Sequence, residues 1–107
     1  MDSRVYLLKI SGSIEPAKRK EFEKTIRFVF NMLPSGCLGS HLALDAFYPN
    51  HYYVLTLWRS DTELSLFKQS DEFSIITGSY DTLGFINTNT ASDFARVQAY
   101  RIHETNL

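Results

Sequence analysis

The sequence has little cysteine and no cluster of basic residues, and both features narrow the range of functions. Cys37 is the only cysteine among the 107 residues, so the chain can form neither an internal disulfide nor a Cys-x-x-Cys redox or metal site. Eleven Lys and Arg residues against twelve Asp and Glu residues give a formal net charge of -1. Because the sequence has no basic stripe, it offers no surface suited to binding the phosphate backbone of a nucleic acid. We therefore expect a buried thiol, a reducing compartment and no nucleic-acid partner.

The sequence also lacks the long apolar runs of membrane and secreted proteins. No stretch approaches the roughly 18 apolar residues of a membrane span, and the first residues have neither the apolar core nor the cleavage site of a signal peptide. We predict a cytoplasmic protein with no membrane partner. Its length suits one hydrophobic core, and its 44% hydrophobic content favours a packed fold over disorder. The prediction is one domain over residues 1–107.

The first third of the sequence predicts a strand followed by an amphipathic helix. Residues 5–10 (VYLLKI) are apolar on both faces of a strand and precede the turn formers at 11–13. Pro16 suits a first helical turn, and Pro34 with Gly36 would end the helix. Apolar residues recur between them with helical spacing at Phe22, Ile26, Val29, Phe30 and Leu33.

The middle of the sequence predicts an antiparallel hairpin. In residues 38–47 the apolar residues Leu38, Leu42, Leu44 and Ala46 alternate with Gly39, His41, Ala43 and Asp45, which is typical of a half-buried strand. Tyr48-Pro49-Asn50 favours a turn, since proline and asparagine suit its central positions. The chain would return as a second strand over residues 52–58 (YYVLTLW).

The last part of the sequence predicts a second helical region, a loop and a final strand. Ser60-Asp61-Thr62-Glu63 matches a capping box, Ser70-Asp71 is a second cap, and Gly78 is a stop, so two short helices are expected. Polar residues and glycine indicate a long loop over residues 79–93. The alternation of the side chains at 97, 99 and 101 with those at 96, 98, 100 and 102 predicts a final strand over residues 94–103. The order β-α-β-β-α-β predicts an α+β, ferredoxin-like fold with an antiparallel sheet. Because that fold hosts many functions, local motifs must decide the activity.

Three motifs resemble the antibiotic biosynthesis monooxygenase family. Residues 34–39 (PSGCLG) match its P-x-G-C/F-x-G entry to strand 2, residues 55–60 (LTLWRS) its L-x-x-W-x-S exit from strand 3, and residues 70–73 (SDEF) its S-x-x-F turn. The resemblance spans about residues 5–78. It implies a homodimer, a dimeric α+β barrel in which two sheets face each other. That arrangement would cover the second apolar face of strands 1 and 3, whose exposure to water would cost about 25 cal/mol per Å².

The resemblance also implies an activity. Those family members that oxidise phenolic or quinol-type substrates need neither metal nor flavin, which implies a cofactor-independent monooxygenase acting on a small aromatic such as a phenol, quinol or anthrone. A noncatalytic dimer that binds a small ligand or serves as a scaffold is the alternative. No metal site is expected, because His41 and Asp45 lie too far apart along one strand to share an ion.

The resemblance suggests where a substrate would bind. Trp58 matches the family's tryptophan, and the resemblance implies that it walls a substrate cavity together with Phe30 and Phe67. The residues alone favour the alternative, a core tryptophan that joins the sheet to the helix. Side chains able to accept a proton or orient an oxyanion are candidates for catalysis, but none has a diagnostic spacing. They are His41, Tyr53 and Asn31, with His51 and Tyr52 as further possibilities, of which His51 is expected to be a solvated turn residue.

Two alternative functions known for similar folds are disfavoured by particular residues of the sequence. Haem-degrading relatives carry a second tryptophan and a haem-ligating histidine where this sequence has Phe67 and Thr77, and threonine is not the usual iron ligand. RNA-binding domains of the same topology carry a K/R-G-F/Y pattern that is missing here. No cofactor is therefore expected.

Overall fold

Four antiparallel strands form one sheet in the part of the chain that the structure describes, residues 4–84 and 96–103 of a computed structural model. The elements in chain order are β1 (Arg4–Ser13), a 3-10 turn (Pro16–Lys18), α1 (Arg19–Phe30), β2 (Cys37–Leu44), β3 (His51–Trp58), α2 (Asp61–Lys68), α3 (Asp71–Leu83) and β4 (Arg96–His103). The strands lie in the order β2-β3-β1-β4, and each adjacent pair is antiparallel. The predicted α+β, ferredoxin-like fold is confirmed.

The helices and one face of the sheet enclose the hydrophobic core. On β1 and β3 every second residue belongs to this face, so that Leu8 pairs with Thr56 and Ile10 with Val54. The helices contribute apolar residues that are fully or almost fully buried: Phe22, Ile26 and Val29 from α1, Leu64 and Phe67 from α2, and Ile76 and Tyr80 from α3. The predicted apolar face of helix 1 is thus confirmed at its first three positions, whereas Phe30 is half-buried and Leu33 follows the end of α1.

The opposite face of the sheet, which we call the open face, is formed by the residues that alternate with the core positions. At its centre lie Val5, Leu7 and Lys9 of β1, Tyr53, Leu55 and Leu57 of β3, and Tyr100 and Ile102 of β4. The side chains on β1 and β3 are half-buried, while Tyr100 and Ile102 are 42% and 39% exposed. Both faces of the central strands are therefore apolar, as the sequence indicated.

Strand β1 is longer than predicted. The turn expected at residues 11–13 is wrong, because β1 continues to Ser13, which pairs with His51. The glycine in this segment has another role: a Cβ atom on Gly12 would lie 2.7 Å from Cδ1 of Tyr80. Gly12 therefore allows a close approach of the Tyr80 ring to the strand.

Helix α3 is also longer than predicted. Gly78 does not stop it, and the first residues of the loop expected over 79–93 are helical as far as Leu83. The Tyr80 ring packs edge-on against Phe22 with centroids 4.8 Å apart, and this packing outweighs the weak helix propensity of the segment. The remainder of that loop, residues 85–93, and the first two residues of the predicted final strand, 94–95, lie outside the described residues.

The ends of the other elements follow from local hydrogen bonds. Strand β2 stops at Leu44 rather than at residue 47, because the Asp45 carboxylate accepts hydrogen bonds from the amides of Phe47 (2.8 Å) and Tyr48 (3.0 Å). The two predicted helix caps are confirmed. Ser60 Oγ accepts from the amide three residues later at the start of α2, and Ser70 Oγ does the same at the start of α3.

Candidate functional site

A cavity of about 370 Å³ opens where β3 ends and α2 begins. Its lining residues, which define the Trp58 cavity, are Met32, Pro34, Ser35, Gly36, Trp58, Glu63, Leu66, Phe67, Ser70 and Glu72. These residues come from the connection between α1 and β2, the end of β3, helix α2 and the start of α3. The fold therefore brings together residues from all three sequence motifs at one place.

Trp58 and Phe67 form the floor of the Trp58 cavity. Their ring centroids lie 4.7 Å apart with 30° between the ring planes, and both side chains have almost no exposed surface. The Trp58 Nε1–H donates a hydrogen bond to Thr56 Oγ1 at 2.9 Å inside the core. Trp58 thus joins the sheet to α2.

Glu63 brings a carboxylate to the same cavity, which the sequence did not predict. Its amide donates to Ser60 Oγ at 3.2 Å, but the return bond of a capping box is not made. Instead, carboxylate oxygen Oε2 is buried and has no hydrogen-bond partner among the described residues. A Cβ atom on Gly36 would overlap this carboxylate, so the glycine makes room for it.

Phe30 lies at a different cavity from Trp58 and Phe67. This second cavity, of about 430 Å³, separates α1 from β2 and is lined by Arg19, Glu23, Arg27, Phe30, Ser40, His41, Leu42, Ala43, Leu44 and Tyr52. The three aromatic residues proposed to bind substrate are therefore divided, with two at one cavity and one at the other. Their roles as substrate contacts stay predictions.

Three polar side chains that line the second cavity are joined by hydrogen bonds. Tyr52 Oη donates a hydrogen bond to Glu23 Oε2 at 2.6 Å and accepts one from Arg19 Nε at 2.9 Å. Burial raises the pKa of Tyr52, and the hydrogen bond to Glu23 raises it further. The hydrogen bond to Tyr52 raises the pKa of the Arg19 guanidinium. Tyr52 is therefore held as a neutral phenol and does not release a proton readily.

Tyr53 lies on the open face, away from both of these cavities. Its hydroxyl donates a 2.6 Å hydrogen bond to Asp45 Oδ2, which raises the pKa of Tyr53 and lowers that of Asp45. His51 packs edge-on against the Tyr53 ring, with centroids 5.1 Å apart, and its Nδ1 lies 3.3 Å from Ser13 Oγ. The expectation that His51 is a solvated turn residue is wrong, because it is half-buried in the first position of β3.

The three catalytic candidates do not converge. His41 is exposed on β2 and borders the second cavity, Tyr53 lies on the open face, and Asn31 is an exposed residue at the C-cap of α1. The residues described at 4–84 and 96–103 contain no group of three His, Cys, Asp or Glu side chains placed to hold a metal ion. Nor does any helix within these ranges have the length and apolar character needed to cross a membrane.

Comparison with known sequences decides the family. Residues 8–75, more than half of the chain, match the sequence profile of the family described as antibiotic biosynthesis monooxygenase. The chain belongs to the antibiotic biosynthesis monooxygenase family. The resemblance carried by residues 34–39, 55–60 and 70–73 is thereby confirmed. No curated protein is significantly similar to this family member in sequence.

Solved structures share the fold of this family member at low sequence identity. A conserved protein from Methanosarcina mazei is 15% identical, with 92% of each chain covered and a TM-score of 0.73. A Deinococcus radiodurans protein, provisionally named an antibiotic biosynthesis monooxygenase, is 12% identical, with 95% of this chain and 96% of that chain covered and a TM-score of 0.75. A Caulobacter crescentus protein with the same provisional name is 18% identical, with 98% and 92% covered and a TM-score of 0.70. At such identities the likeness shows the fold alone.

Proposed function

We propose that the chain is a cofactor-independent monooxygenase that oxidises a small aromatic molecule of the phenol, quinol or anthrone type in the Trp58 cavity. The observation that carries the proposal is the match of residues 8–75 to a monooxygenase family, together with the aromatic floor that this family's tryptophan motif builds here. The provisional names of the Deinococcus and Caulobacter proteins support the same reaction class.

The proposed reaction balances without a further reductant. When an anthrone CH₂ group reacts with O₂, one oxygen atom becomes the new carbonyl oxygen and the other leaves as water with the two hydrogens of the CH₂ group. The four electrons lost by carbon are those that reduce O₂. The protein binds the flat ring, keeps water away from it and accepts the proton that carbon loses. The mostly apolar lining, with Met32, Leu66 and Phe67, suits the first of these tasks, the binding of a flat ring.

We also propose that the protein is a homodimer in which two open faces pack together. Leu7, Leu55 and Leu57 are half-buried at the centre of this face, and Ile102 extends the apolar surface onto β4. Apolar surface of this kind is stabilised when a partner removes it from water, and a specific contact buries above roughly 1,000 Å². A second copy offers the same surface and is its natural complement.

Light scattering at micromolar concentration tests the dimer. The wild type is expected to have twice the chain mass, and Leu57→Lys is expected to be a monomer because its ammonium group would be buried in the contact. Phe28→Lys is the matched control, since Phe28 is 60% exposed on α1 and lies outside the open face. A wild type that is a monodisperse monomer would contradict the sheet-on-sheet arrangement.

Oxygen uptake tests the activity. Wild-type protein, supplied with a panel of hydroquinones and anthrones and with no added flavin or metal, is expected to consume oxygen. Trp58→Phe is expected to lower turnover about tenfold, or about 1.4 kcal/mol, because it changes the ring at the cavity floor. Thr56→Val is the control, since it removes the hydrogen bond to the indole but keeps the ring. An equal loss in both variants would assign the effect to packing.

A noncatalytic dimer that binds a small apolar ligand is the second candidate. The observation that favours it is that none of the catalytic candidates His41, Tyr53 and Asn31 lines the Trp58 cavity. If aromatic molecules bind to the protein but no member of the panel causes oxygen uptake, this candidate replaces the monooxygenase.

A further inference from the structure

The Trp58 cavity contains a carboxylate oxygen that lacks a partner. Glu63 Oε2 is buried, and no hydrogen-bond donor of the described residues reaches it. Buried polar atoms nearly always have a partner, because a buried group that has lost its water and gained nothing destabilises the fold. The same cavity is also lined by the apolar side chains of Met32, Trp58 and Phe67. The partner that Oε2 lacks in the protein is therefore one that a ligand can bring.

The backbone on both sides fixes the position of this carboxylate. The amide of Glu63 is held by Ser60 Oγ at the N-cap of α2. On the other side, the carbonyl of Gly36 accepts a hydrogen bond from the amide of Arg59 at 3.3 Å, which ties the segment before β2 to the end of β3. Because Gly36 has no Cβ, the carboxylate fits against this segment. The carboxylate is thus held at the cavity lining between the start of α2 and the segment before β2.

We propose that Glu63 selects the ligand of the Trp58 cavity by accepting a hydrogen bond from a hydroxyl group on an aromatic ring. The aromatic class of the ligand rests on the proposed function, whereas the need for a donor follows from the carboxylate. A carboxylate accepts hydrogen bonds and donates none, so a hydroxyaryl molecule satisfies Oε2. The methyl ether or the quinone of the same molecule has only acceptor oxygens and leaves Oε2 unpaired. The protein therefore binds the hydroxyl form and discriminates against both.

Calorimetric titration with naphthol and methoxynaphthalene tests this selection, because the two probes share a ring system and differ in the donor. We expect the wild type to bind naphthol at least tenfold more tightly, since a hydrogen bond to a charged acceptor is among the stronger ones. Glu63→Met, which is similar in length but has no strong acceptor, is expected to lose this preference while binding methoxynaphthalene as before. Glu63→Gln keeps one neutral acceptor and is expected to retain part of the preference.

Two further variants separate recognition from a general effect of charge. Glu21→Gln removes the same charge from an exposed position on α1 and is expected to keep the full preference for naphthol. Glu72 also lines the cavity, and loss of the preference in Glu72→Met but not in Glu63→Met would overturn the assignment. Equal binding of the two probes by the wild type, or binding of neither, would overturn it as well.

Thermal unfolding distinguishes this role from a structural one. Because Glu63 Oε2 has no hydrogen bond to lose, Glu63→Met is expected to unfold at the wild-type temperature or above it. A clearly lower unfolding temperature would mean that Glu63 stabilises the start of α2, and would overturn the inference. The proposed activity is judged separately: naphthol selection without oxygen uptake refutes only the monooxygenase, and oxygen uptake with unchanged KM in Glu63→Met refutes only the role of Glu63.

Discussion

Removal of the Tyr80 hydroxyl is expected to weaken the attachment of α3 to the sheet. Tyr80 is 2% exposed, and its Oη donates to the carbonyl oxygens of Tyr52 at 2.9 Å and Ile10 at 3.3 Å. The ring itself packs against Phe22. Tyr80→Phe keeps this ring contact and removes only the donor, so the variant isolates the hydrogen bonds that link α3 to β1 and β3.

The expected loss of stability in Tyr80→Phe follows from how the hydroxyl proton of Tyr80 is shared. One hydroxyl proton serves two carbonyl groups, and a typical hydrogen bond contributes about 0.5–1.5 kcal/mol net, with a larger loss of about 1–3 kcal/mol where a buried partner is left unsatisfied. Strand carbonyls have a second lone pair that the sheet can use, so we expect a loss of about 1–2 kcal/mol. Tyr80→Ala also removes the ring and is expected to cost about 3–5 kcal/mol, as large-to-small changes in cores do.

Urea unfolding followed by tryptophan fluorescence measures both losses, since Trp58 is the only tryptophan and is buried. Protein concentration is held constant, because the stability of the proposed dimer would depend on it. Burial raises the pKa of Tyr80 above that of the unfolded chain, so the fold favours the neutral phenol. Stability from this group is complete below about pH 10 and is lost as the pH rises above it, and Tyr80→Phe removes that part of the alkaline loss. Equal urea midpoints for Tyr80→Phe and the wild type would refute the reasoning.

Two further predictions concern single positions. Gly12→Ala places a Cβ atom 2.7 Å from Tyr80 Cδ1 and is expected to destabilise the fold by about 1–3 kcal/mol. Gly78→Ala has open space around it in α3 and is expected to stabilise the fold by about 0.5–1 kcal/mol. Thermal unfolding that ranks the two variants in the opposite order would contradict this. The hydrogen bond from Tyr53 lowers the pKa of Asp45, so its stabilisation is present above about pH 4 and is lost as the pH falls through the lower, folded-state value. The free energy of unfolding should therefore fall less with decreasing pH in Asp45→Asn than in the wild type. Identical dependence on pH in the two proteins would show that the Asp45 carboxylate does not contribute to stability.

The elements that the sequence predicted well are those whose signals are local. The caps at Ser60 and Ser70 bond to amides three residues away, and the apolar spacing of Phe22, Ile26 and Val29 is a property of α1 alone. Local patterns of this kind are readable without the fold.

The misplaced ends depend on contacts between residues far apart in the sequence. Gly12 and Gly78 suggested a turn and a stop, but both lie within regular elements. What overrides their usual preference is Tyr80, whose ring fits against Gly12 and whose hydroxyl reaches carbonyls of two strands. No local pattern around residue 80 indicates a partner at residue 12, so the sequence predicted a loop from residue 79 where the structure has a helix as far as Leu83.

The candidate site was predictable in part for the same reason. Trp58 and Phe67 stand in or near a motif, and the fold places both at one cavity. Glu63 matched a capping box in the sequence. Its place at the cavity could not be predicted, because it depends on Gly36, which approaches from another segment. The sequence identified Gly36 as part of the motif at residues 34–39, but it did not indicate that Gly36 contacts Glu63.

The division of the aromatic residues between two cavities leads to a last prediction. The second cavity, with Phe30 at its edge, is lined by the hydrogen-bonded Arg19, Glu23 and Tyr52, whose polar groups already have partners, so a neutral aromatic ring gains little there. The Trp58 cavity offers an aromatic floor instead. Phe67→Leu removes the ring that packs against Trp58 and is expected to weaken the binding of naphthol about tenfold, or about 1.4 kcal/mol, through lost ring contacts. Phe30→Leu, the same substitution at the other cavity, is expected to leave the affinity unchanged. If calorimetry shows that Phe30→Leu weakens binding and Phe67→Leu does not, the aromatic ligand occupies the cavity between α1 and β2, and the functional site belongs there.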